Sequence, residues 1–282
     1  MVKKIVFLLV IFNITLFANE VLLQQVQSFL DRDVYEKNRD YIKILFSDEE
    51  KFYNKHKANS NSEKIDDVRI VETLKENGLL ELFFTTPQKI NISFSSNSNA
   101  LFFVKLMNDT LRSMGYYRYI TDSAELNSAN FVWKISLTSE YIMDPLLLQK
   151  ALQKRGCDIQ DITRISQNNW VYKINTHKAH LRSPKIHSGE EITLKRSQNR
   201  EWWIDISEVK KLTLTSETGN NWYPNITFYS KTLKILRVYK RDSKTWQIAL
   251  RLPKDSFYIK ISDLYTIKNM KNGLRVEAEG IR

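Results

Sequence analysis

The spacing of hydrophobic positions changes period along the chain, and each change marks a different kind of element. From Val21 to Phe46, Leu22, Val26, Phe29 and Leu30 recur at three- and four-residue spacing. After a charged middle, Tyr41, Ile42, Leu45 and Phe46 supply a second apolar face. That period predicts helix. Ser47 and Glu50 stand at capping-box spacing, which predicts a short helix through about Lys57. Ala58 to Lys64 is polar and small and reads as a linker. Asp66–Asn77 is helical again, with Val68, Val71 and Leu74 on one face and Gly78 as a left-handed cap.

Beyond residue 89 strands and helices alternate. Ile90, Ile92 and Phe94 alternate with polar residues and predict a half-buried strand. Asn99 caps a helix from Ala100 to Met114, closed by Gly115. Tyr116–Asp122 and Phe131–Thr138 predict strands. Asp144 then caps a helix that carries Pro145 in its first turn, where a missing N–H is harmless. Lys154 and Arg155 suit the negative end of its dipole, and Gly156 ends it. Ile159–Ile165 and Trp170–Ile174 form a hairpin about Asn168-Asn169. The order β-α-β-β-α-β-β predicts a ferredoxin-like split βαβ layer with one extra strand.

After Pro184 the helical period disappears. Apolar residues alternate around Ile192, Trp203, Leu212, Ile226, Leu233–Tyr239, Trp246–Leu252, Tyr258–Ile261 and Leu274–Ala278. Turn residues separate them, notably Gly219-Asn220-Asn221 and Lys271-Asn272-Gly273. Short strands at this spacing predict a β-sandwich or jelly roll. The expected fold class is therefore an α+β N-terminal part, made of a helical segment plus a ferredoxin-like layer, followed by an all-β sandwich domain. The expected organisation is a secretory signal over 1–18, a helical region over 19–86, the ferredoxin-like domain over 87–178 and the sandwich over 184–282.

The first 18 residues explain the signal assignment. Lys3 and Lys4 precede an apolar run from Ile5 to Phe17, and Ala18 offers a small residue before a cut. The run is shorter than the ~20 residues of a membrane span. The expected address is the periplasm, with an uncleaved inner-membrane anchor as the alternative. No cysteine follows the run, so a lipid anchor is not expected.

Composition narrows the chemistry. The 282 residues hold 7 glycines, none closer than seven positions to the next, and no nucleotide-cradling loop motif. A single cysteine, Cys157, excludes an internal disulfide framework and a four-cysteine metal site; it reads as a buried small hydrophobe. Residues 178–282 hold 21 Lys and Arg against 11 Asp and Glu, whereas 19–177 hold 20 against 21. The chain's net +11 thus resides almost wholly in the sandwich. That bias fits an anionic partner: an anionic glycan, peptidoglycan, an envelope protein, or peripheral contact with a membrane surface. Nucleic acid is not expected outside the cytoplasm, and no cofactor is expected.

Four of the six tryptophans lie in the same region. Adjacent Trp202 and Trp203 must face opposite sides of a strand. Trp222 and Tyr223 follow a turn, where flat rings are displayed. The candidate ligand-binding residues are Trp202, Trp203, Asn220, Asn221, Trp222, Tyr223 and Trp246, with rings covering sugar faces and amides bonding hydroxyls. Their likeness to carbohydrate-binding modules is generic and matches no motif. His177, His180 and His187 have no established metal spacing and lie among basic residues. Ser207 and Lys210 match the SxxK spacing without its companion motifs. Acid pairs such as Asp66-Asp67 and Glu190-Glu191 are adjacent, and neighbours on a strand face apart; the facing separation that glycosidase carboxylates need is not read from sequence. The leading expectation is a non-catalytic envelope protein with an α+β docking domain. A periplasmic assembly component and a glycan-acting enzyme are the alternatives.

Overall fold

Capping residues start the main helices of the N-terminal half. The computed structural model describes residues 20–54, 64–127, 130–195 and 201–281. The signal segment and most of the linker lie outside that range. Helix α1 covers residues 20–28, α2 is Arg32–Lys37 and α3 is Arg39–Leu45. The continuous helical pattern from Val21 to Phe46 is therefore broken twice. The second break is at Asn38, whose side-chain amide donates to the Val34 carbonyl at 2.8 Å and competes with the helix ladder. Of the helix expected from Ser47 to about Lys57, the described residues form a single 3₁₀ turn, Glu49–Phe52, followed by strand at Tyr53–Asn54, and residues 55–57 lie outside the described range. Ser47 does not cap that turn; its hydroxyl donates backwards to Ile44 O at 2.8 Å. Short β1 (Tyr53–Asn54) and β2 (Lys64–Ile65) pair before α4 (Asp67–Glu76), where Asp66 accepts from Arg69 N.

Then come β3 (Phe83–Ser96), α5 (Ala100–Ser113), β4 (Ile120–Leu126), β5 (Phe131–Tyr141), α6 (Pro145–Gln153), β6 (Asp158–Ser166) and β7 (Asn169–Asn175). Asn99 accepts from Leu101 N and Phe102 N, and Asp144 from Leu146 N, as capping chemistry requires. The strand expected from Tyr116 begins only at Ile120. The reason is the helix exit: Gly115 is left-handed and Tyr116 N still bonds Leu111 O at 2.9 Å.

The five strands align β4-β5-β3-β7-β6, antiparallel except where β3 meets β7. A simple split βαβ layer would place the strand after α6 beside β3. Here β6 stands at the edge and its hairpin partner β7 takes the inner place. Side-chain content explains the exchange. β7 buries Trp170, Tyr172 and Ile174, whereas in β6 only Ile162 is buried. The more apolar arm occupies the centre. Phe103 of α5 meets Phe131 edge-on at 6.0 Å, and the ring of Phe29 stacks on Trp170 at 6.3 Å. The helical region and this sheet thus form one compact unit ending at Ala179. Cys157 is fully buried there, and burial pushes its thiol up to about 12.

The second unit, His180–Arg282, is built from strands. They are β8 (Glu191–Leu194), β9 (Trp202–Asp205), β10 (Val209–Ser216), β11 (Pro224–Tyr229), β12 (Ile235–Lys240), β13 (Gln247–Arg251), β14 (Tyr258–Asp263) and β15 (Leu274–Ile281). They form two four-stranded antiparallel sheets of order β13-β10-β15-β8 and β12-β11-β14-β9. The inward set between them includes Leu212, Leu214, Trp222, Ile226, Phe228, Ile261 and Val276. The two turns recognised in the sequence are stapled to each other. Asn220 donates to Gly273 O at 2.7 Å and accepts from Asn272 N at 2.9 Å. At Gly273, φ is +90° and an added Cβ would lie 2.2 Å from the Leu194 carbonyl oxygen, so only glycine fits.

Candidate functional site

Five of the basic residues of the second unit, Lys210, Lys211, Lys231, Arg251 and Lys254, line one groove. Lys210 and Lys211 follow Val209 at the start of β10, and Lys211 lies opposite Arg251 of β13 on one side and Glu279 of β15 on the other. The turn between β11 and β12 adds Ser230, Lys231 and Thr232, and the loop after β13 adds Pro253, Lys254 and Asp255. Together they enclose an open cavity of about 1300 Å³. Its floor is apolar, with Leu252 buried and Phe257 half-buried.

Backbone bonds hold these loops in place. Leu252 N donates to Lys210 O at 3.0 Å, Phe257 N to Tyr229 O at 2.7 Å, and Ile206 N to Phe257 O at 2.8 Å. The Ser256 hydroxyl donates to Pro253 O at 2.6 Å. The cations are mostly left unneutralised. Lys211 pairs with Glu279 at 2.8 Å. Lys231 lies 5.9 Å from the centroid of the Phe257 ring. Lys210, Lys231, Arg251 and Lys254 are exposed and have no carboxylate partner among the described residues. Lys211 and Arg251 are direct cross-strand neighbours of like charge, an arrangement that disfavours the free protein and favours an anion between them. Hydroxyls of Ser207, Ser230 and Thr232 add neutral donors. The arrangement is suited to carboxylate, sulfate or phosphate groups carried on a chain.

Ser207 and Lys210, the SxxK pair, both line this groove. No hydrogen bond joins the serine hydroxyl to the ammonium, and Ser207 N is tied to Asp205 Oδ1 at 2.9 Å. His187 Nδ1 lies 2.8 Å from Glu208 Oε2. Hydrogen bonds from Lys185 and then His187 hold the Glu208 carboxyl below its usual range. Among the described residues no group of three or more His, Cys, Asp or Glu is placed to hold a metal ion.

The residues singled out in the sequence scatter. Trp202 faces the core, its indole donating to Lys195 O at 2.9 Å, while Trp203 faces outward and stacks on Tyr229 at 5.0 Å. Trp222, expected on display after its turn, is fully buried, and its indole donates to Ser262 O at 3.1 Å. It is a core residue and presents no ring to a ligand. The turn bends the chain, but the residue after it points between the sheets. Asn220 is buried and occupied by its turn. Asn221 and Trp246 are exposed, and Tyr223 meets Tyr265 edge-on at 5.2 Å. Backbone bonds join these last segments: Thr245 N to Trp222 O and Leu264 N to Tyr223 O, both at 2.9 Å. None of the seven lines the basic groove. The groove residues were missed because they lie up to 50 positions apart; only the regional charge bias signalled them.

No family model and no curated protein matches the chain. Among solved structures, the pre-peptidase C-terminal domain of a collagenase from Bacillus anthracis covers 34% of this chain and 94% of its own. That alignment has 8% identity and a TM-score of 0.24. A structure of accessory secretory protein 1, 2 and 3 from Streptococcus pneumoniae covers 34% of this chain and 74% of its own, at 17% identity and a TM-score of 0.21. Neither likeness is close enough to carry an argument. No helix among the described residues is long and apolar enough to cross a membrane.

Proposed function

We propose that the chain is an exported, non-catalytic envelope protein whose second unit binds an anionic glycan in the basic groove, while its first unit docks to protein. The observation that carries this reading is the set of four exposed, unneutralised cations around one apolar-floored groove. The domain is read as a jelly roll. Support comes from its strand orders, in which the first and last strands, β8 and β15, pair in one sheet and the chain passes repeatedly between the two. The export reading rests on Lys3, Lys4 and the apolar run that follows.

Lys231→Glu with Lys254→Glu tests the site. Both side chains are exposed, so the fold is kept. Retention on purified cell wall falls at least roughly tenfold, because each reversal removes about 1 kcal/mol of attraction. Retention equal to that of the parent chain sinks the proposal.

A further inference from the structure

The second unit has two ends, and the groove occupies one of them. β11 runs from Pro224 to Tyr229, and the turn after Tyr229 lines the groove, so Pro224 stands about 17 Å away at the other end. There three segments lie side by side. The central one, residues 221–224, is bonded on one flank to the β12–β13 connection: Thr245 N donates to Trp222 O at 2.9 Å and Arg241 N to Pro224 O at 3.0 Å. On the other flank it meets the segment after β14, where Leu264 N donates to Tyr223 O and Asn221 N to Asn269 O, both at 2.9 Å. One carboxylate fastens the two tyrosines of this end. Asp263 Oδ2 accepts from Tyr223 N at 2.8 Å; its Oδ1 accepts from Tyr265 N and Thr266 N at 2.9 Å and from Asn269 Nδ2 at 3.0 Å.

Tyr265 is pinned at its far end as well, its hydroxyl donating to Asp242 Oδ1 on the opposite flank. Its side chain is nevertheless 61% exposed, and half-buried Tyr223 meets it at 82° with ring centroids 5.2 Å apart. A ring held at both ends and left in water adds little to the core, and its pre-ordering lowers the cost of binding a partner on its face. Such a face suits the C–H face of a sugar ring. The right-angled corner with Tyr223 adds a niche for a methyl-sized group. Asp242 beside it is an acceptor only, so it takes an N–H donor and repels a carboxylate. Exposed Asn221, on the central segment, offers an amide to a carbonyl. An acetamido sugar carries all four features: a C–H face, a methyl, an N–H and a carbonyl. A plain hexose lacks the last three. We infer that the end of the sandwich built around Tyr265 and Tyr223 is a second glycan site, which stacks an uncharged N-acetylated sugar on the Tyr265 ring. It shares no residue with the basic groove and does not rest on it.

Titration of the purified chain with N-acetylglucosamine oligomers, and with glucose oligomers of the same length, tests the site. The parent chain binds the acetylated oligomer, and the sugar-ring and methyl proton resonances move upfield as they enter the ring current of the tyrosines. That binding is indifferent to salt, since no ion pair forms. The glucose oligomer does not bind. Tyr265→Ala lowers the affinity at least roughly tenfold, as loss of an aromatic anchor does. Its urea melt is unchanged, because the ring is exposed. Lys231→Glu with Lys254→Glu leaves this binding intact, which separates failure of this site from failure of the groove. No binding of the acetylated oligomer, equal binding of the two oligomers, or a Tyr265→Ala chain that binds like the parent overturns the inference.

Discussion

Asp67 gives the sharpest prediction for the stability of the first unit. Its side chain is 5% exposed, with Oδ1 accepting from Gln25 at 2.8 Å and Oδ2 from Ile162 N at 2.8 Å. It therefore ties α1 and α4 to β6. Burial is the largest influence, and it raises the carboxyl from 3.8 to about 7; the neighbouring Asp161 pushes in the same direction. The sign follows from proton uptake. Below about pH 4 folded and unfolded chains both hold the proton. Between about pH 4 and 7 only the folded chain holds it, so stability falls as pH rises. A rise of this size corresponds to on the order of 4 kcal/mol, fully lost above about pH 7. Asp67→Asn removes the titration while keeping an acceptor for Ile162 N. Urea melts at pH 5 and pH 8 check it. The parent first unit weakens by a few kcal/mol on going to pH 8, and the variant does not. At pH 8 the variant is the more stable of the two. A parent stability flat between these values, or an unchanged slope in the variant, refutes the reasoning.

Other expectations follow from burial and bonding. Trp222→Ala removes a fully buried ring from the sandwich core and lowers stability by about 3–5 kcal/mol in urea melts, whereas Trp246→Ala at an exposed position changes it by about 0.5 kcal/mol or less. Asn220→Ala strips Gly273 O and Asn272 N of their partner and lowers stability by about 2 kcal/mol in the same melts. Cys157 is inert to thiol reagents at neutral pH in the folded chain and reacts at once in denaturant, as its burial and raised thiol require. A folded chain labelled as fast as the denatured one contradicts that placement.

Local rules carried the sequence a long way. Asn99, Asp144 and Asp66 cap the helices that follow them because a short acceptor beside a helical run has one favourable use. Positive φ at all seven glycines reflects the same logic: so few are present that each stands where the backbone requires it. Alternation placed β8 to β15 because both sheets have one face inward. Pairing across the sheet was not legible. Whether β6 or β7 joins β3 depends on which arm buries more, a comparison between strands and not within one. The buried position of Trp222 was hidden for a related reason, since nearness to a turn does not reveal which way the next residue faces. The acid pair Asp66-Asp67 split into a cap and a buried ligand for β6, a division made by an element 95 residues away. The groove was visible only as a charge bias, because its cations are gathered from the ends of three different strand connections.

Negative charge on a glycan is the proposed ligand of the groove. The most direct measurement is equilibrium binding of the purified chain to a carboxylated polysaccharide and to the same polymer with its carboxyls reduced, across a salt series. The chain binds the carboxylated form with an affinity that weakens steadily with salt, does not bind the reduced form, and loses the difference in the Lys231→Glu, Lys254→Glu variant. Equal binding to both polymers, or binding indifferent to salt and to the two reversals, contradicts the proposal.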